Sequence, residues 1–280
     1  MSDTTMAGRT VLVTGASDGI GAETARVLAA KGATVHVTGR SAAKLRPIAE
    51  AVGTEPLIAD FARLDDVRRL AEQVGERVEK LDVLMNNAGG TISPSRTTHD
   101  GHEPNFQVNH LAPFLLTNLL RPQLAAAGSS LVVNTSSIGN LMGRIVLDDL
   151  DYEHRRAIEF PAYGTGKLMN IVFTRGISQR WSEDGIVSVA VHPGPVGSSF
   201  GRDSWLVGLL YRSPLKRLAT ISVADGAAPL IALAERGPDP EIDGRYFSRF
   251  HADGRENRQA HDQSVIDGLW ERSAALVGLA

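Results

Sequence analysis

Tyr163 and Lys167 lie four residues apart in the run Tyr163-Gly164-Thr165-Gly166-Lys167. On a helix, positions i and i+4 share one face, so the lysine would stand one turn from the phenol. A free phenol has a pKa of about 10 and is a poor base at neutral pH. A neighbouring ammonium favours the phenolate, and the tyrosine then gives a proton to a carbonyl oxygen or takes one from an alcohol. Alone, the pair would also suit a solvated helix face. Two serines widen its meaning. Ser136 and Ser137 close the run Asn134-Thr135-Ser136-Ser137, where a hydroxyl can hydrogen-bond a substrate oxygen and stabilise its developing charge. Strand-end serines also satisfy nearby backbone groups, and the residue pattern leaves both open.

A glycine-rich turn is the second chemical signal. Thr14-Gly15-Ala16-Ser17-Asp18-Gly19-Ile20-Gly21 sits between a β-branched apolar run and a stretch whose Ala, Val and Leu recur at helical spacing. Glycines let a backbone approach a pyrophosphate, and a helix N-terminus offers free N–H groups with a partial positive charge. The strand–turn–helix setting makes Gly15, Ser17, Asp18, Gly19, Ile20 and Gly21 a candidate dinucleotide cradle. Further on, an apolar run ends Thr38-Gly39-Arg40. An NAD site normally carries an acidic residue at that strand end to hold the ribose 2′-hydroxyl. Glycine stands there instead, and the guanidinium of Arg40 suits a 2′-phosphate. The expected cofactor is therefore NADP(H), with NAD(H) as the alternative, although an arginine in a solvated loop would read the same way.

These residues need strands that end at one edge. Apolar runs at 10–14, 33–39, 56–60, 81–89, 129–137 and 186–194 read as strands, and 244–248 as a last short one. Helical patterns fill 22–32, 42–52, 64–79, 105–126, 162–183 and 225–235, with Pro113 interrupting the fourth. Strands alternating with helices predict an α/β fold: a doubly wound, Rossmann-like parallel sheet with helices on both faces and its ligand beyond the carboxyl ends of the strands. No linker or repeat divides the chain, so residues 1–280 are expected to form one domain. A net charge of -3 argues against a nucleic-acid partner. The chain has no cysteine, which excludes disulfides and thiolate chemistry. No signal peptide opens it, and no stretch approaches the ~20 apolar residues of a transmembrane helix. A cytoplasmic location is the expectation. His192 has no partner at metal-ligand spacing and reads as structural, so no metal is expected.

The order and spacing of these motifs resemble the short-chain dehydrogenase/reductase family. The turn is Thr-Gly-x-x-x-Gly-x-Gly, although Asp18 stands where several NADP-using members carry a basic residue. The resemblance favours Ser137 over Ser136 and implies a catalytic set of Asn109, Ser137, Tyr163 and Lys167, with Asn109 in a water-borne proton relay to Lys167. It also places Tyr163 and Lys167 against the cofactor. It implies that Asp60, followed by Phe61, contacts the adenine. Asn87, Ala88 and Gly89 would line the cofactor and steady the sheet. Pro193, Gly194, Val196 and Ser198 would meet the nicotinamide, Ser198 replacing a more usual threonine. Family members are commonly oligomers built on helices equivalent to 105–126 and 162–183, so a homodimer or homotetramer is implied.

The long interval from Ser137 to Tyr163, the run Tyr163–Ser178 and the late Gly244-Arg245-Tyr246-Phe247-Ser248 resemble the retinol-dehydrogenase-like branch. That likeness implies hydride transfer between NADP(H) and a small-molecule carbonyl or alcohol, bulky and apolar. The segment 197–223 contains Trp205-Leu206-Val207-Gly208-Leu209-Leu210-Tyr211 and is expected to be a substrate lid. A buried or subunit-contacting helix is the next reading, and shallow membrane contact the third. Two rival functions stand: an NADP(H)-sensing binding protein without chemistry, and a conjugated double-bond reductase, which the lack of cysteine disfavours. Arg40→Asp should raise the KM for NADPH relative to NADH in steady-state kinetics. Unchanged kinetics with both cofactors would remove the NADP assignment.

Overall fold

The structure, a computed structural model, describes residues 5–195 and 221–279. Val196, Ser198 and the expected lid as far as residue 220 lie outside the described residues. The chain begins as sequence patterning predicts, with β1 (Thr10–Val13), α1 (Gly19–Ala30), β2 (Thr34–Gly39), α2 (Ala42–Val52), β3 (Leu57–Ile58), α3 (Leu64–Arg77) and β4 (Val83–Asn86). There follow α4 (Pro104–Phe106), α5 (Ala112–Leu119), α6 (Arg121–Ala126), β5 (Ser130–Thr135), α7 (Glu159–Trp181) and β6 (Ile186–His192). The described chain closes with α8 (Val223–Arg236), β7 (Tyr246–Ser248), β8 (His251–Ala252) and α9 (Gln263–Leu276). One sheet runs β3-β2-β1-β4-β5-β6-β7-β8. Every pairing is parallel except the β7–β8 hairpin.

Strand periodicity divides the core. Leu12, Leu84, Val132 and Ala190 face one side of the sheet and pack with α3, α5, α7 and α9. Val11, Val13, Val83, Met85, Val133 and Val189 face the other side, under α1, α2 and α8. With both faces covered, the central strands are buried along their whole length and mostly apolar, as a parallel sheet favours. This is the expected doubly wound α/β architecture.

Three expectations change in detail. β3 covers only Leu57–Ile58, because the chain turns at Asp60, whose carboxylate accepts from the Ala62 N–H at 3.0 Å. The single helix expected over 105–126 is broken. A π turn spans Gln107–Leu111, and Pro113 then falls in the first turn of α5, where its missing N–H leaves no bond unmade. A second break at Leu120 puts Pro122 in the first turn of α6. The hairpin strand β8 and the helix α9 lie beyond the last element read from the sequence.

α9 bears on the oligomer that family resemblance implies. Its Trp270 lies edge-on to Phe114 at 5.1 Å and to Trp181 at 5.5 Å, and tilted against Phe173 at 5.8 Å. A Cβ on Gly176 would stand 2.9 Å from the indole, so this glycine makes room for it. Ser273 bonds the fully buried His110 at 2.9 Å, and Arg180 pairs with Asp267 at 2.5 Å. Burial pulls His110 down to about 3, so it is neutral in the fold. On α5 and α7, two of the elements in the helices expected to meet a second copy, Phe114, Phe173 and Trp181 are thus packed against α9. Trp270→Ala should lower the unfolding free energy by about 2–3 kcal/mol in urea denaturation, below the roughly 3–5 kcal/mol of a fully buried tryptophan because the ring is only partly buried. A loss under about 0.5 kcal/mol would mean that the indole does not hold α9 in place.

Candidate active site

The glycine turn is packed against the end of β4. Thr14 is fully buried, and its hydroxyl donates to Met85 O at 3.0 Å while accepting the N–H groups of Asn87 and Ala88. Asn87 Nδ2 returns a bond to Thr14 O at 3.0 Å. Gly15 has φ +66, and a Cβ there would lie 2.7 Å from Ala88 Cα. One on Gly21 would lie 2.5 Å from both Asn87 Nδ2 and Gly15 O. These glycines therefore let the turn close onto residues 87–88. Asp18 caps α1 by accepting from Gly19 N at 2.8 Å, and Lys44 stands 4.0 Å from its other oxygen. Ile20 is half-buried against the α1 side of the core.

Ser17 and Gly39 explain each other. A Cβ on Gly39 would lie 2.1 Å from Ser17 Oγ, so a side chain at that strand end would need the Ser17 hydroxyl to turn away. Ser17 Oγ is buried with no hydrogen-bond partner. Arg40 is exposed beside it in sequence. Asp60 ends its strand as a turn-forming carboxylate, and the Phe61 ring is buried in the core while its carbonyl accepts from Gln107 Nε2 at 3.2 Å.

Beyond the carboxyl ends of β4 and β5 the four expected catalytic side chains come together. Lys167 is buried on α7 and donates from Nζ to Thr135 O at 3.0 Å. Its ammonium lies 5.8 Å from the centre of the Tyr163 ring. Burial pulls the Lys167 ammonium down to about 7. Gly89 fits between two of these groups, since a Cβ there would stand 2.4 Å from Asn109 Oδ1 and 3.1 Å from Lys167 Nζ. Gly139 fits between two others, its would-be Cβ being 3.2 Å from Tyr163 Cε1 and 3.5 Å from Ser137 Oγ. Asn109 sits in the π turn and is held at both ends. Its amide donates to Gly90 O and Asn105 O at 3.0 and 3.1 Å, and its oxygen accepts Gly90 N at 2.9 Å.

The two serines separate cleanly. Ser136 Oγ is spent on Lys167 O at 2.7 Å, deep inside the protein. Ser137 caps the short turn Ile138–Met142 by accepting Gly139 N at 3.1 Å, and its hydroxyl lies on the Tyr163 side. At the end of β6, Gly194 takes φ +101 beside Pro193. His192 is mostly buried, and burial with the nearby Arg249 charge pulls it down to about 4, in keeping with a neutral structural residue.

Several residues that matter were not singled out from sequence. Alongside Asn87, Asn86 steadies the sheet. Its amide bonds Thr117 and Asn134 at 2.9 Å each, and Asn134 continues to Thr174 at 2.9 Å and Ser188 at 3.3 Å. Thr165, between Tyr163 and Lys167, receives Tyr152 OH at 2.8 Å and Arg144 N at 3.0 Å, which ties the long 143–158 loop to α7. His102 clasps Asp151 in the same loop at 2.9 Å, and this contact raises the His102 pKa. All of these pairings join distant parts of the chain, so no local pattern announces them.

With this arrangement in view, residues 9–205 match the short chain dehydrogenase family. The chain belongs to that family. It is 36% identical over 293 residues to human retinol dehydrogenase 13, covering 99% of this chain and 87% of that protein. It is 39% identical over 277 residues to a protein of Streptomyces sp. (strain C5) that bears the provisional name daunorubicin C-13 ketoreductase, with 97% and 93% covered. A crystal structure from Mycobacterium paratuberculosis superposes with a TM-score of 0.79 at 32% identity, covering 98% of this chain and 94% of that one. The chain is thus an oxidoreductase-family member of the retinol-dehydrogenase-like branch, a family that uses NAD(P). No described helix is long and apolar enough to cross a membrane. The residues fit such a cofactor. The turn closes at positive-φ glycines, and Ser17 Oγ is an unpartnered buried hydroxyl beside the N-terminus of α1.

Lys167 has a measurable consequence. Its folded pKa lies below the unfolded value, so the unfolded chain binds more protons between about pH 7 and 10. Its cost to the fold is full below pH 7 and fades as pH rises through that window. Lys167→Met, in cofactor-free protein, should be more stable than wild type at pH 7. The gap should shrink toward pH 10 in denaturation curves. A pH-independent gap would contradict the low pKa.

Proposed function

We propose that this protein transfers a hydride between NADP(H) and a bulky, apolar carbonyl/alcohol pair, with Tyr163 as general acid and base. The meeting of Tyr163, Ser137, Lys167 and Asn109 around Gly89 and Gly139 carries this reading. The cofactor, when bound, supplies or accepts the hydride at its nicotinamide. The glycine turn, Ser17 and the N-terminus of α1 would hold its pyrophosphate, and Gly194 would lie at its nicotinamide end. In the reducing direction Ser137 Oγ donates to the substrate oxygen and Tyr163 delivers the proton to it. In the oxidising direction the tyrosine takes that proton. The Lys167 ammonium, 5.8 Å from the ring centre, would favour negative charge on the phenol. Asn109, held rigidly by Gly90 and Asn105, stands beside the lysine at Gly89 and fits a relay position.

NADP(H) is favoured by Gly39, which leaves no carboxylate at that strand end, and by Arg40 next to it. An apolar substrate is favoured by Ile138, Met142, Ile158 and Phe160. All four are exposed, and in sequence they flank Ser137 and Tyr163. The names of the two relatives, a retinol dehydrogenase and a daunorubicin ketoreductase, suit the alcohol and ketone sides of one exchange. Tyr163→Phe should cut kcat by about 10²–10⁴-fold with a panel of aldehydes and ketones, read from NADPH absorbance. NADPH affinity by fluorescence titration should stay within about two-fold, since one hydroxyl contributes little to so large a ligand. Wild-type turnover in the phenylalanine variant would refute the role of the tyrosine.

A further inference from the structure

We propose that Asn257 is a positioning residue that fixes Ser137 relative to Tyr163. This inference rests on the catalytic reading of those two residues given above. Ser137 is carried by the turn 137–145, and Tyr163 by α7. The turn departs from the sheet at the end of β5, so the strand alone does not set where it lies. The segment 256–261, outside the residues that match the family, holds it.

Asn257 grips the turn at three points. Its backbone N–H donates to Asn140 Oδ1 at 2.9 Å, and its side-chain amide donates to Gly143 O at 2.8 Å and Asn140 O at 3.3 Å. Asn140, fully buried, passes the constraint on, because its own amide donates to Ser137 O at 2.8 Å. Two residues later Gln259 makes a reciprocal pair with the backbone of Ile145, both bonds 2.9 Å. Side chains here do what a neighbouring strand would do: they satisfy the polar backbone of an irregular turn and so select one conformation.

The other end of the segment is pinned to α7. Glu256 takes both guanidinium nitrogens of Arg175, at 3.0 and 2.8 Å, and Arg175 also bonds Ala260 O at 2.8 Å. The pair is largely buried, and its fork geometry fixes direction as well as distance. The segment 256–261 is therefore a brace between the helix that bears the phenol and the turn that bears the serine hydroxyl. A proton and a hydrogen bond must reach the same substrate oxygen, so a small error in this spacing falls on kcat rather than on binding of the cofactor.

The test uses the full chain with Asn257→Asp and Asn257→Ala. Aspartate keeps the oxygen that caps Gln259 N at 3.0 Å but loses the donor to Asn140 and Gly143. Both variants should lose about ten- to a hundred-fold in kcat. Carbonyl KM should change less than about three-fold and NADPH affinity less than about two-fold. Hydrogen exchange should quicken in peptides covering 138–145 and stay unchanged over 15–30. Wild-type kcat in the aspartate variant, or NADPH affinity falling in step with kcat, would overturn the proposal. If wild-type protein turned over no carbonyl or alcohol, the functional reading would fail. Exchange would then decide for the brace itself: faster exchange over 138–145 supports it, and unchanged exchange overturns it.

Discussion

An ammonium buried in a protein costs several kcal/mol unless nearby groups offset the lost hydration. α7 carries Lys167 into such a place, and the surroundings are arranged to receive it. At the end of β5, Thr135 O accepts a hydrogen bond from the ammonium, and Asn170 Nδ2 bonds the same oxygen at 3.0 Å, which holds that carbonyl in position. Ser136 ties the backbone of the lysine from the other side. The join between β5 and α7 is thus made of polar groups gathered around one lysine. The neighbouring phenol inherits its setting from this join.

Small residues make that convergence possible. Between Tyr163 and Lys167 stand two glycines, each at a point of close approach. A Cβ on Gly164 would lie 2.4 Å from Gly139 O, and one on Gly166 would lie 2.9 Å from Asn105 O. Gly164 lets the serine-bearing turn settle on the helix, and Gly166 lets the π turn do so on the opposite side. Any larger residue at either position would push one wall away. The π turn in its turn aims Asn109 at Gly90, an arrangement that a regular helix through residues 105–112 would not produce.

How legible all this is in sequence depends on range. The glycine turn, the strand alternation and the i, i+4 pair are local, and a reader can find them because their physics acts within a few residues. Ser137 against Ser136 is not a local question. It is decided by the Lys167 carbonyl, thirty-one residues from Ser136. The role of Gly39 likewise depends on Ser17, which only folding brings near. Asn86 and Asn87 are neighbours with similar chemistry, and the pleat of β4 alone sends the first into the sheet interior and leaves the second for the turn. The partners of the brace at 256–261 also lie far back in the chain, whereas α9 carries a local signal: Asp262 caps it, and Val265, Ile266, Leu269 and Trp270 recur at helical spacing.

The order of synthesis gives α9 one more meaning. It is made after every element that it covers, and its bond to His110 spans 163 residues. Until Trp270 arrives, the aromatic faces of Phe114, Phe173 and Trp181 are without the ring that packs on them here. A growing chain must therefore keep this apolar surface from other contacts while the rest of the sheet assembles. Closure of such a distant contact carries a larger entropy cost than a local one. While α9 is not yet in place, those rings are an apolar surface of the kind that chaperones bind and that aggregates.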